Sequence, residues 1–100
     1  MTLPLELTAE AINDITGIVK WYDEQQSNLG NVFVEHLHLA FTSIASNPSA
    51  FQRYHRNVRK TVLKKFPYLV LFREEKEKII IHAVFHTRRS PETILKRIKK

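Results

Sequence analysis

The sequence contains no cysteine, and this absence excludes disulfide bonds and thiolate chemistry. Glycine occurs only at Gly17 and Gly30, neither of them in a glycine-rich phosphate loop, so no nucleotide cofactor is expected. The longest nearly apolar run, residues 79–85, is interrupted by His82 and is far shorter than the roughly 20 residues that span a bilayer. The sequence therefore predicts a protein without cofactor or membrane span.

The histidines do not show the spacing of a metal site. His36 and His38 would point about 200° apart on a helix, while His82 and His86 would share a strand face roughly 13 Å apart. Without cysteine or an HExxH motif, no metal is predicted. His82 lies inside an apolar strand and is interpreted as a satisfied, partly buried histidine.

What the chain does contain is enough apolar residues for a core. It has 100 residues, of which 43% are hydrophobic, so we expect residues 1–100 to form a single domain. The first seven residues lack the charged and apolar regions of a signal peptide, which favours a cytoplasmic protein. Several aromatic residues are expected to pack in the core or between helices: Trp21, Tyr22, Phe33, Phe41 and Tyr68.

Acidic and basic residues occupy different halves of the sequence. Up to Gln52 there is one base against six acids, a net charge of −5, and from Arg53 onward there are fifteen bases against four acids, a net charge of +11. The segment from Arg53 to Arg73 has seven bases and no acid. Such a surface either steers a polyanion or an acidic peptide toward the protein, or is simply a solvated basic face.

The first half predicts two helices. Thr8 is a suitable N-cap, and apolar residues at spacings of three and four predict a helix over about 9–26. After a turn at 27–30, a second apolar stripe continues until Asn47-Pro48 ends it. The short turn predicts an antiparallel helix hairpin.

The second half predicts strands at 58–65, 68–73 and 78–86, arranged as a meander after a connector at 47–57, with the charged segment "REEKEK" as the last turn. A weak alternation also predicts a short strand at 3–7. Ser90-Pro91 predicts the start of a basic tail helix that ends near Lys100. The order β-α-α-β-β-β-α indicates an α+β fold with a mainly antiparallel sheet.

Four residues are candidates for an anion-binding site. Arg59 in a central strand needs an anionic or carboxylate partner that the neighbouring sequence does not offer. His86, Arg88 and Arg89 follow one another at the exit of the last strand, where the histidine could act as a general base or as a hydrogen-bonding anchor. If the strand order brings Arg59 to this exit, the four side chains would suit phosphate or carboxylate; scattered surface arginines are the alternative.

The order of these elements resembles the RelE/ParE family of bacterial toxins from type II toxin-antitoxin pairs. The resemblance covers "IVKWYDEQQSNLGNVFVEHL" in the helix hairpin, the following "NP", "VRKTVLKKFPYLVLF" in two strands and "IIIHAVFHTRRSP" at the last strand exit. It implies a helix hairpin on a sheet, a cognate antitoxin that binds the toxin, and growth arrest when the antitoxin is lost. RelE-like members cut messenger RNA on the ribosome, whereas ParE-like members bind DNA gyrase.

The resemblance favours the ParE-like function. Leu69 and Thr93 stand where RelE-like members are expected to have an arginine and a tyrosine or histidine. The "H-x-R" pattern of His86 and Arg88 is common in ParE-like members. A gyrase-binding toxin is therefore expected, with a toxic site formed by Arg59, His86, Arg88 and Arg89. A ribosome-dependent endonuclease that uses the same residues in catalysis, and an inert antitoxin-binding or DNA-binding module, remain alternatives.

Overall fold

Two helices lie on one face of a five-stranded sheet and a third helix lies on the other face. The computed structural model describes residues 2–99; Met1 and Lys100, which belong to the predicted domain, lie outside the described residues. The elements are β1 Leu5–Leu7, α1 Ala9–Gln25, α2 Leu29–Ser46, a short 3-10 turn Pro48–Ala50, β2 Gln52–His55, β3 Val58–Val62, β4 Tyr68–Glu75, β5 Lys78–His86 and α3 Pro91–Ile98.

The strand order in the sheet is β1-β5-β4-β3-β2. β1 pairs with β5 in parallel, and the other neighbours are antiparallel. This arrangement confirms the predicted α+β fold, the mainly antiparallel sheet and the meander of β3, β4 and β5.

The prediction of a plain connector at 47–57 is wrong, because residues Gln52–His55 form β2 at the edge of the sheet. Their sequence, QRYH, has no apolar alternation that would indicate a strand. They adopt the extended conformation through pairing with β3, in which Arg53 lies opposite Arg59. Pairing with a distant partner is not visible in local sequence.

The charged turn before β5 is also shorter than predicted. β4 continues to Glu75 and β5 begins at Lys78, so only Lys76 and Glu77 form the turn. Both have positive φ, 49° and 64°, as a two-residue type I′ turn requires. The charged residues before the turn are paired across the sheet, with Arg73 opposite Ile80.

The two faces of the sheet carry separate cores. Alternation along β4 directs Val70 and Phe72 toward the helix hairpin, and Leu69 and Leu71 toward α3. On the hairpin side, rings with centroids 5.1–6.1 Å apart pack together: Tyr22, Phe33, Phe66 and Tyr68. Burial raises the pKa of Tyr22, and the neighbouring Tyr68 adds to that shift.

The prediction that Trp21 packs in the core or between the helices is wrong. Its side chain is 53% exposed and contacts Tyr22 edge to face at 5.1 Å. Tyr22 and Phe33 do pack as predicted, and Phe41 is partly buried against the same core. Trp21 therefore lies at the solvent side of α1, beside the ring cluster rather than within it.

The turn between α1 and α2 depends on a close approach at Gly30. The N-cap residue Asn28 makes no side-chain cap bond; instead Asp23 of α1 accepts the amide hydrogen of Gly30 at 2.8 Å. A Cβ atom at Gly30 would lie 2.8 Å from the carbonyl oxygen of Val19. Gly30 thus allows the helices to meet, whereas a Cβ at Gly17 would have no heavy atom within 4 Å.

These two glycines predict opposite effects of the same substitution. Gly17→Ala should raise the free energy of unfolding by about 0.5–1 kcal/mol, since alanine has the higher helix propensity. Gly30→Ala should lower it by about 1–3 kcal/mol, because the added methyl overpacks the hairpin against backbone. Urea unfolding followed by circular dichroism measures both. Equal effects of the two variants would contradict the close approach at Gly30.

Candidate functional site

The loop that leaves β5 is held by three consecutive backbone amides. The amide of Thr87 donates to the carbonyl of Pro67 at 2.9 Å, and that of Arg89 donates to the carbonyl of His86 at 2.9 Å. The amide of Arg88 donates to Nδ1 of His86 at 3.0 Å. Ser90 then caps α3, its Oγ accepting from the amide of Thr93 at 3.2 Å. We call residues 86–89 the strand exit.

The ring of His86 is oriented by two contacts. Its Nδ1 accepts the Arg88 amide, and its ring forms a T-shaped contact with the ring of Tyr68 at a centroid distance of 5.3 Å and an interplanar angle of 76°. A neutral imidazole that accepts at Nδ1 carries its hydrogen on Nε2. His86 therefore presents a hydrogen-bond donor at the strand exit.

The two arginines of the strand exit are exposed. The guanidinium of Arg89 lies 4.8 Å from the centroid of the Phe85 ring, which gives this side chain a preferred position. Within residues 2–99, no carboxylate forms an ion pair with Arg88 or Arg89. Their charges are thus directed to solvent or to a partner molecule.

An ion pair between α1 and α3 fixes the strand that carries this site. Arg97 of α3 binds Asp14 of α1 through two nitrogens, at 2.9 Å and 3.1 Å. Asp14 also accepts the amide of Val84 at 3.1 Å, and Arg97 donates to the carbonyl of His82 at 3.2 Å. Because β1 ends at Leu7, these side chains satisfy the part of the β5 edge that no strand covers.

The contact with Asp14 is also the main electrostatic influence on Arg97. Its hydrogen bond with Asp14 raises the pKa of Arg97 further, against the opposing effect of burial. The guanidinium also lies 4.7 Å from the centroid of the Phe85 ring. The sequence indicated Arg97 only as one of several bases at the end of a helix, and no local signal marks it as the partner of Asp14.

His82 occupies an irregularity in β5. Its neighbours Ile81 and Ala83 pair with the adjacent residues Phe72 and Leu71, so His82 is the extra residue of a β-bulge. Burial, followed by the charge of Arg73, lowers the pKa of His82 below 6.5. It is partly buried as predicted, but its buried Nε2 has no hydrogen-bond partner among the described residues, contrary to the expectation of a satisfied side chain.

Arg59 lies apart from the strand exit. It pairs with Phe72 of β4, four residues from Tyr68, which is the partner of His86. Four residues along the strand and two strands across place the Cα atoms of Arg59 and His86 roughly 16 Å apart. The Arg59 guanidinium donates to the carbonyl of Phe51 at 2.7 Å. The structure thus brings His86, Arg88 and Arg89 together and leaves Arg59 near β2.

The two positions that the RelE-like cutting pattern requires carry no catalytic group. Leu69 is only 7% exposed and packs in the α3-side core. The hydroxyl of Thr93 lies 2.9 Å from that of Ser90, within the cap of α3. Leu69 thus contributes to core packing, and Thr93 contributes to the cap of α3.

Residues 2–99 contain no group of three or more His, Asp or Glu side chains placed to hold a metal ion. No helix in this part of the chain has the length and apolar character needed to cross a membrane.

The protein has a small α+β fold in which a helix hairpin packs on a sheet. The loop at the end of β5 exposes two arginines and is fixed by backbone hydrogen bonds. A sequence model of the ParE toxin of the type II toxin-antitoxin system parDE matches residues 5–91. The chain belongs to the ParE toxin family, which confirms the resemblance that the sequence motifs indicated. It is thus a toxin of the type II toxin-antitoxin class.

The solved structures give an independent comparison of the fold. A chain from a structure of the chromosomal ParDE TA system from P. aeruginosa is 17% identical to this protein and superposes with a TM-score of 0.75. The match covers 85% of this chain and 96% of the other. A search of curated protein sequences gave no match. At this identity the structural likeness concerns the architecture alone.

The ion pair at the β5 edge predicts a large effect of a single substitution. Asp14→Ala should lower the free energy of unfolding by about 3 kcal/mol, because it removes the bidentate carboxylate partner of Arg97 and the acceptor of the Val84 amide. Lys78→Gln provides a matched control, since the Lys78–Glu6 pair is exposed and should contribute less than about 1 kcal/mol. Urea unfolding measures both; similar losses would show that the β5 edge does not depend on Asp14.

The lowered pKa of His82 predicts how stability depends on pH. The unfolded chain protonates this histidine near pH 6.5, whereas the folded protein does so only at lower pH. Its contribution is therefore complete above that value and is lost as the pH falls from about 6.5 toward the folded-state pKa. His82→Gln should make this decline shallower, as measured by urea unfolding at a series of pH values. An unchanged decline would contradict the assignment.

Proposed function

We propose that this chain arrests growth by binding DNA gyrase through the strand exit formed by His86, Arg88 and Arg89. In this proposal residues 1–100 act as one toxin unit in the cytoplasm, where a cognate antitoxin neutralises it. The observation that carries the proposal is the closed loop of the strand exit, which holds two unpaired arginines and an imidazole donor on a rigid strand end. Membership of the ParE toxin family supports gyrase as the proposed target.

The state of His86 favours binding over cleavage. A general base in RNA cleavage needs a free lone pair within reach of the ribose hydroxyl. The lone pair of Nδ1 accepts the Arg88 amide, and Nε2 then carries hydrogen. The imidazole is therefore suited to donate a hydrogen bond to an acceptor on a partner protein.

The neighbouring elements support the same choice. Catalysis of RNA cleavage also needs cations around the phosphate and an acid for the leaving oxygen. Leu69 and Thr93 occupy the positions expected to supply such groups in RelE-like members, and they are engaged in the core and in a helix cap. Arg88 and Arg89 can still bind acidic side chains of a protein partner with bidentate geometry.

An acidic antitoxin segment would complement the same surface. The half of the chain from Arg53 onward carries a net charge of +11, and the arginines of the strand exit have no carboxylate partner within residues 2–99. A disordered acidic segment that folds on binding would be steered to this half and would cover the strand exit. Removal of the antitoxin would then expose the arginines to the target.

Two assays on the purified chain separate the candidate targets. We expect inhibition of gyrase supercoiling and no cleavage of a defined message on translating ribosomes. Cleavage of the message with unaffected supercoiling would refute gyrase binding and would favour the endonuclease. Unimpaired growth of cells that express soluble protein without antitoxin would show that this chain does not inhibit growth.

Two arginine variants test which residues act. Arg88→Ala should weaken gyrase inhibition by roughly 10- to 150-fold, since a charge-assisted contact contributes roughly 1.5–3 kcal/mol, and should leave unfolding unchanged. Arg59→Ala should instead lower the free energy of unfolding by about 1–2 kcal/mol, through loss of the bond to the Phe51 carbonyl. The supercoiling assay and urea unfolding are measured for each variant. If Arg59→Ala loses gyrase inhibition but keeps its stability, Arg59 belongs to the toxic site after all.

A further inference from the structure

A second cationic site lies at the opposite end of the sheet from the strand exit. It is a cavity of about 380 Å³ between the turn that joins β2 to β3, strand β4 and the end of α3. Val58 and Ile98 provide apolar lining, and the polar lining comes from His55, Arg56, Asn57, Arg73 and Lys99. Arg73 pairs with Ile80, six residues before His86, so the cavity is roughly 20 Å from the strand exit.

Two residues that line this cavity carry a buried side-chain nitrogen without a hydrogen-bond partner among the described residues. Among residues 2–99, buried side-chain nitrogens without a hydrogen bond occur at only three residues. Two of these atoms, Nε2 of His55 and Nε of Arg73, belong to residues that line the cavity, and the third is on His82. Buried polar groups are normally satisfied, so the wall of this cavity holds cationic side chains whose hydrogen bonds the described residues do not complete.

The charges of the cavity also favour an anion. None of its lining residues is acidic. Glu75 pairs with Nη2 of Arg73 at 2.6 Å but leaves the Nε of Arg73 without a partner. Lys96 in the last turn of α3 and Lys99 at its end offset the partial negative charge of this helix terminus.

We propose that this cavity binds a phosphate group, independently of the gyrase-binding function. Two guanidinium groups, an ammonium and an imidazole provide the planar forks and point charges by which proteins bind phosphoryl oxygens. Three cations against one partly neutralising carboxylate match the two charges of a phosphate better than the single charge of a carboxylate. The cavity also has room for the phosphate and part of the molecule that bears it.

Titration of the ¹⁵N-labelled full chain with inorganic phosphate tests the proposal, with chloride at equal ionic strength as reference. We expect saturable shifts of the amide signals of Arg56, Asn57 and Lys99. Arg56→Gln and Arg73→Gln should each weaken phosphate binding by about tenfold, the loss of one charge-assisted contact. Lys64→Gln removes an exposed base outside this cavity and should leave the affinity unchanged.

Arg56 lies in an exposed turn, so its variant keeps the test interpretable if Arg73→Gln unfolds. Shifts no larger with phosphate than with chloride, or wild-type affinity in Arg56→Gln, would overturn the proposal.

Competition by a short oligonucleotide with a 5′-phosphate, but not by the same oligonucleotide without it, would identify a nucleic-acid terminus as the source. If neither oligonucleotide competes, the ligand is free phosphate. Either outcome is consistent with a phosphate-binding cavity. Because the readout is phosphate binding, its failure leaves the gyrase assay unaffected.

Discussion

The bidentate contact between Asp14 and Arg97 joins three elements that the sheet alone would leave apart. It satisfies the exposed edge of β5 beyond β1 and ties α1 and α3 to that edge at once. The loop between β5 and α3 is consequently held at both ends, by strand pairing before it and by the anchored helix after it. His86, Arg88 and Arg89 thus occupy a short, fixed segment, and a partner does not have to bear the entropy of ordering it.

The uneven distribution of charge along the chain has two consequences in the folded protein. Acids of the first half pair with bases of the second, as Glu6 does with Lys78 and Asp14 does with Arg97. Lys78 and Arg97, two bases of the second half, thus stabilise the fold through ion pairs. The bases that remain without a carboxylate in the described residues include the arginines of the strand exit, and the cavity at the other end has no acidic lining residue. Positive charge is therefore concentrated at two separate ends of one sheet.

Family membership and specificity rest on different parts of the molecule. The chain shares its architecture with the P. aeruginosa ParDE structure at 17% identity, because that architecture needs only a helix hairpin and alternating strands of the right lengths. The strand exit lies in a loop outside both cores, so its side chains can differ between proteins without disturbing the shared architecture. Leu69 and Thr93, where the sequence resemblance led us to expect groups of RelE-like members, are a core residue and a contact of the α3 cap.

Local sequence determined the helices, the meander and the strand exit, because helix caps at Thr8 and Ser90 and the apolar periods of α1, α2, β4 and β5 act between near neighbours. The family resemblance followed from the same elements. Only the tertiary structure decided that residues 52–55 form β2, that Arg59 is separated from His86 and that Arg97 meets Asp14 across 83 positions of sequence. Those features depend on strand register and on which faces meet in space, and neither leaves a periodic signal in the chain.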